Sequence, residues 1–162
     1  MSFHVGDKVV YPMHGAGIIE AIEEKEILGE RKKYYIMKIP IGDMKVMIPL
    51  DSVEQIGLRE VIDDEGVKQV FSILQDSHSE MSSNWNHRYR SNLEKIKSGD
   101  IFQVAEVVRN LAFREKKKGL STGERKMLDS ARQILVSELV LAQETTEEDV
   151  DEIIDRFFAG VS

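Results

Sequence analysis

The hydrophobic pattern of this 162-residue chain changes period at Gly57, and that change limits what the chain can fold into. Before Gly57, apolar residues alternate or run in short blocks broken by glycine and proline. After it, they recur every three or four residues almost to the end. Such a switch calls for a sheet module followed by a helical one, an α+β chain with its strands and helices segregated.

The first part reads as strands. Val5, Val9, Val10 and Tyr11 form a short apolar run that stops at Pro12, and Met13-His14-Gly15-Ala16-Gly17 supplies the glycines of a tight turn. Ile18, Ile19, Ala21 and Ile22 lead through the charged residues 23–26 to Ile27 and Leu28, with Gly29-Glu30 as a hairpin turn. Residues 34–39 are rich in aromatic and branched side chains. Met44, Val46 and Ile48 alternate with Lys45 and Met47 in a half-buried strand that ends at Pro49, and Val53 with Ile56 is placed to close a fifth strand. Strands this short at this spacing predict a small antiparallel β-barrel.

Helical spacing follows at Val67, Val70, Phe71 and Leu74, then a polar loop over residues 75–83. A helix over 84–97 places Trp85, Tyr89, Leu93 and Ile96 on one stripe. Asp100 caps the next helix, which ends at Lys116-Lys117-Lys118 before Gly119. Ser121 and Glu124 form a capping box for a long helix, and Thr145 or Thr146 caps a last, acidic one. The expected organisation is a β domain over 1–57, a linker over 58–64 and an all-α bundle over 65–162.

The absence of cysteine removes disulfides, thiolate chemistry and cysteine-based zinc sites. No apolar run approaches the roughly 20 residues of a membrane span, and the N-terminus lacks a signal-peptide layout, so a soluble cytoplasmic protein is expected. The histidines at positions 4, 14, 78 and 87 offer no helical metal-ligand pair. Ser77-His78-Ser79-Glu80 reads as a polar loop, His14-Gly15-Ala16-Gly17 lacks the lysine of a phosphate loop, and Asp63-Asp64-Glu65-Gly66 lacks the alternating ligands of a calcium loop. No catalytic residue, metal, cofactor or small-molecule substrate is expected.

Charge points elsewhere. The chain is acidic, with net charge −7, yet residues 85–126 hold eleven basic and five acidic groups, net +6. That block begins at Trp85, the single tryptophan, with His87, Arg88, Tyr89 and Arg90 close behind. An aromatic wedge beside cations suits nucleic acid. The helical stripe equally allows Trp85 to be an ordinary core residue, and spacing leaves both readings open. The basic block can likewise serve only to neutralise the acidic C-terminal helices. Arg125 and Lys126 sit in a first helical turn, where cations oppose the dipole and exposed amides attract phosphate.

Several segments together resemble the CarD-like (CdnL) family of bacterial transcription-initiation regulators. They are residues 5–17, Asn84-Trp85 with residues 88–95, residues 119–128 and residues 131–135. The opening segment alone also resembles a module of the transcription-repair coupling factor. The resemblance implies a Tudor-like or SH3-like β domain docking on the RNA polymerase β-subunit lobe, and a helical domain meeting promoter DNA at the upstream edge of the bubble. It implies that Trp85 wedges into the minor groove and holds the open complex. Asn84, His87, Arg88 and Arg90 would lie on the DNA around it, with Arg125 and Lys126 as a second basic patch. The polymerase-binding residues would be Lys25, Ile27, Val46, Met47 and Ile48. Some members carry arginine where this chain has Met47. A monomer acting on polymerase and promoter is expected, with little sequence specificity. The alternative is a polymerase-binding or other protein-interaction adaptor that does not touch DNA.

Overall fold

The computed structural model describes residues 2–77 and 80–160. His78 and Ser79, from the polar loop read as Ser77 to Glu80, lie outside the described residues. Five antiparallel strands come first: β1 (Lys8–Tyr11), β2 (Gly15–Ile27), β3 (Glu30–Ile39), β4 (Met44–Pro49) and β5 (Arg59–Glu60), in the order β4-β3-β2-β1-β5. Because β4 and β5 are both edges, the sheet is open rather than a closed barrel. The fifth strand is not at Val53–Ile56. Those residues form a single helical turn, α1 (Val53–Ile56), closed by Gly57 at φ 83°, whose N–H donates to the carbonyls of Val53 and Glu54. Strand β5 follows and pairs with β1, Val10 opposite Arg59.

The β2–β3 hairpin turns on Leu28 and Gly29, at φ 54° and 79°, between the paired residues Ile27 and Glu30. Two successive left-handed residues suit the twist of the flanking strands. Alternation sends Ile19, Tyr35, Met37, Ile39 and Ile48 inward, where they meet Phe3, Val53 and Leu58.

Five longer helices complete the chain: α2 (Asp64–Gln75), α3 (Trp85–Lys97), α4 (Ile101–Lys117), α5 (Thr122–Gln143) and α6 (Glu147–Ala159). Each starts at a side-chain cap, Asp63, Asn84, Asp100, Ser121 and Thr146 in turn, accepting a backbone N–H two or three residues on. Their apolar stripes converge on one core that includes Val70, Leu74, Val108, Leu111, Leu135 and Ile154. Among the described residues no helix is long and apolar enough to cross a membrane.

The sheet is bonded to α5 by polar contacts. Ala16 donates its N–H to Ser137 Oγ (2.9 Å), and that hydroxyl donates to the Ile134 carbonyl (2.7 Å). A Cβ at Gly15 would come within 2.9 Å of the same hydroxyl, on a backbone at φ 114°, so the glycine permits the approach. Arg59 grips Glu138 through both terminal nitrogens (2.8 and 2.7 Å), and Ile62 N–H donates to that carboxylate (2.9 Å). Lys8 Nζ reaches the Leu141 carbonyl (3.1 Å) and Glu144 (2.9 Å). Residues 58–64 thus carry a strand and an anchoring ion pair.

Candidate nucleic-acid interface

Asn84 starts α3 by accepting the His87 N–H on its side-chain oxygen (3.1 Å), which makes Trp85 the first helical residue. The indole is 41% exposed, high for so large an apolar group. One of its faces lies on Tyr89, a turn away, with ring centroids 4.9 Å apart and an interplanar angle of 21°. Both rings lie over the first turn of α5, where a Cβ at Gly123 would sit 3.6 Å from Tyr89 and 3.7 Å from Trp85.

The indole edge is fixed as well. Nε1–H donates to Ser121 Oγ (2.9 Å), the residue that caps α5. That hydroxyl also accepts the Glu124 N–H (3.2 Å) and lies 3.2 Å from Glu124 Oε1, to which it can donate. Its one hydrogen and two lone pairs are then all engaged. Glu124 is buried and accepts Arg88 Nε (2.7 Å) and Nη2 (3.1 Å) as a bidentate pair. The Arg88 hydrogen bond holds the Glu124 carboxyl below its ordinary value of 4.5, against the opposing effect of burial. Arg88 Nη1 reaches on to the Ser82 carbonyl (3.0 Å) in the loop before α3. A continuous chain of bonds therefore runs from that loop through Arg88, Glu124 and Ser121 to the indole.

This corrects one sequence expectation. Arg88 is buried, and its guanidinium is taken by Glu124 and loop carbonyls, so it is not offered to a phosphate. It supports Trp85 from behind. His87, Arg90 and Lys126 are exposed without ion-pair partners among the described residues. Arg125 is exposed beside Glu115 at 3.5 Å, a pairing that solvent weakens. Asn84 is exposed as the cap.

The second expected surface divides by strand alternation. Lys25 and Ile27 on β2 are exposed, as is Met47 on β4, and Leu28 at the hairpin tip is wholly so. Val46 is half-buried against the sheet core. Ile48 is fully buried, which corrects its assignment as a docking side chain: it shares the inward face with Val46, opposite Met47. Sequence reading missed Ser121 and Glu124 as parts of the site. Their capping-box spacing was visible, but the second bonds each makes cross 36 positions to α3.

Residues 69–155 match the profile of the CarD C-terminal domain, and residues 3–62 match that of the CarD-like/TRCF RID domain. The chain is similar to a putative transcription factor of Bacillus subtilis (strain 168), YdeB, with 45% identity over 148 residues, 91% of this chain and 97% of that one. Similar solved structures include the 72-residue N-terminal domain of Myxococcus xanthus CarD, 36% identical over 36% of this chain and 79% of its own, TM-score 0.32. The CdnLNt structure from the same organism is 40% identical over 40% of this chain and 90% of its own, TM-score 0.33.

Proposed function

This chain belongs to the CarD-like family, a family of transcription regulators rather than enzymes, and we propose that it stabilises the open promoter complex of RNA polymerase with Trp85 as a wedge. The observation that carries the reading is the half-exposed indole, backed by Tyr89 on one face and tied at its edge to Ser121, at the start of the one strongly basic stretch. Holding the ring in place before binding lowers the ordering cost of inserting it. Unstacking a base step costs a few kcal/mol, which contacts elsewhere must offset. Arg90, Arg125 and Lys126 are exposed cations near the ring that can meet phosphates, with the His87 side chain exposed beside them, and contacts of that kind position a duplex without reading its sequence.

A few such groups on an acidic protein hold free DNA weakly at physiological salt. A second anchor supplies what they lack, by raising the local concentration of the wedge at the promoter. The RID-type match over residues 3–62 supports contact with polymerase through the β module. Strand β4 is an edge, paired only with β3, and an edge strand can accept a partner strand through its backbone. On this reading Ile48 takes part through its main chain alone, while Met47, Ile27, Leu28 and Lys25 present side chains. Such a protein acts in the cytoplasm, with polymerase.

Replacing Trp85 with alanine is expected to shorten the lifetime of competitor-challenged open complexes and to leave polymerase binding unchanged. The adaptor reading predicts the opposite for the cations. If Arg90, Arg125 and Lys126 tolerate charge reversal with no effect on promoter complexes, the protein does not touch DNA.

A further inference from the structure

An open groove lies between the loop before α3 and the last turn of α4. Ser83, Glu80 and Met81 line one side, and Arg114, Lys117 and Lys118 line the other. Two of its lining residues are close in the chain to the indole's surroundings: Ser83 is two residues before Trp85, and Lys118 is three before Ser121, which holds the indole N–H.

The four cations at the end of α4 are not equivalent. Lys116 donates to the Phe158 carbonyl and is committed to the bundle. Lys117 and Lys118 are exposed and pair with no carboxylate among the described residues; Lys117 stands 5.8 Å from the Phe113 ring centroid. Arg114 is half-buried, and its Nε, closed to solvent, has no hydrogen-bond acceptor among the described residues. Cations at a helix C-terminus complement the dipole, which accounts for the lysines. It does not account for the orphaned donor, since a shielded N–H without an acceptor costs free energy and needs a reason. Glu80 is the one acidic side chain in the lining, so the groove stays net positive.

We propose that this groove seats backbone phosphates of the DNA whose minor groove receives Trp85, so that Arg114, Lys117 and Lys118 extend the DNA-binding surface. The proposal rests on reading Trp85 as a wedge. A minor groove is about 6 Å wide, so a ring inserted into it stands close to the sugar-phosphate strands that flank it. A phosphodiester oxygen is an acceptor that a modest turn of the Arg114 side chain would reach, and the two lysines can follow it as mobile point charges.

The test is fluorescence anisotropy of a labelled forked duplex titrated with the full chain over a series of salt concentrations, starting low. The K117Q/K118Q variant is expected to weaken binding and to make the plot of log affinity against log salt shallower by about one to two, at roughly 0.9 per lost phosphate contact. Arg114→Gln should lower affinity further, and because both lysines are exposed, the lysine pair remains informative if the arginine variant unfolds. An unchanged slope in K117Q/K118Q, with Trp85→Ala still weakening binding, overturns the groove and leaves the wedge standing. A shallower slope with Trp85→Ala binding like wild type overturns the wedge and keeps the groove as a phosphate site. Absence of any wild-type binding at the lowest salt overturns the groove, and the wedge is then judged on open-complex lifetime with polymerase present. Loss of affinity of K117Q/K118Q for polymerase without DNA would overturn the proposal in favour of an acidic protein surface.

Discussion

Two arginine–glutamate pairs sit near opposite ends of α5, and they hold different things. Glu124, in the first turn, takes Arg88 from α3. Glu138, four turns later and roughly 21 Å along the axis at 1.5 Å per residue, takes Arg59 from β5. Both pairs are bidentate and both glutamates are buried, but Arg59 keeps 29% of its side chain in solvent where Arg88 keeps 3%. The first pair braces a surface feature, the indole, through Ser121. The second fastens sheet to bundle, with the Ile62 N–H on the same carboxylate. Bidentate arginine–glutamate pairs can therefore serve display at one end of a helix and assembly at the other.

The largest effects should come from removing the glutamate of either pair. Glu124→Ala strands a buried guanidinium and should cost about 3–5 kcal/mol in denaturant unfolding; Glu138→Ala should cost less, because Arg59 keeps 29% of its side chain in solvent. Tryptophan emission separates them: Glu124→Ala should shift and broaden it, whereas Glu138→Ala should leave it close to wild type. A large emission change in Glu138→Ala would break the comparison. Ile48→Ala belongs in the same range, about 2–5 kcal/mol, as a buried isoleucine truncated in the sheet core.

Acid should tell the same story. The Glu124 carboxyl is held below its ordinary value, so its contribution is fully present above about pH 4.5 and is lost as pH falls through the lower folded-state value. Between pH 5 and 3, wild-type stability should drop more steeply than that of Glu124→Gln, as followed by thermal unfolding across pH.

Much of the fold was legible because its signals are local. The caps at Asp100, Ser121 and Thr146, the hairpin glycine Gly29 and the period change at Gly57 each act within a few residues. The misplaced fifth strand has a physical cause: Val53 and Ile56 fit a helical turn as well as a strand, and the Gly57 C-cap decides it. The site was half legible. The basic block beginning at Trp85 is visible in the sequence, but a charge count cannot separate an exposed cation such as Arg90 from one paired in the interior such as Arg88. Its partner Glu124 lies 36 residues away, and Arg59 is 79 from Glu138. The burial of Ile48 was readable from its alternation with Met47.

Smaller effects sharpen the comparison at the display end. Ser121→Ala removes both a helix cap and the acceptor of the indole N–H, and should cost about 1 kcal/mol. Its Trp85 should become more open to quenching by acrylamide, and open complexes should decay at a rate between wild type and Trp85→Ala. The smallest stability change is expected for Met47→Ala, within about 0.5 kcal/mol for an exposed position. Its affinity for polymerase should fall all the same, as measured by a direct binding titration.

Trp85 is the single tryptophan, so fluorotryptophan incorporated throughout the chain gives one fluorine resonance from the one ring that matters. Unlabelled polymerase alone should leave its shift close to that of the free protein, with broadening from the larger assembly only. Adding promoter DNA to form the open complex should move the resonance, as the exposed face of the indole exchanges water for bases. A resonance that stays at the free-protein shift in the open complex, with the protein shown to be bound, would contradict the wedge.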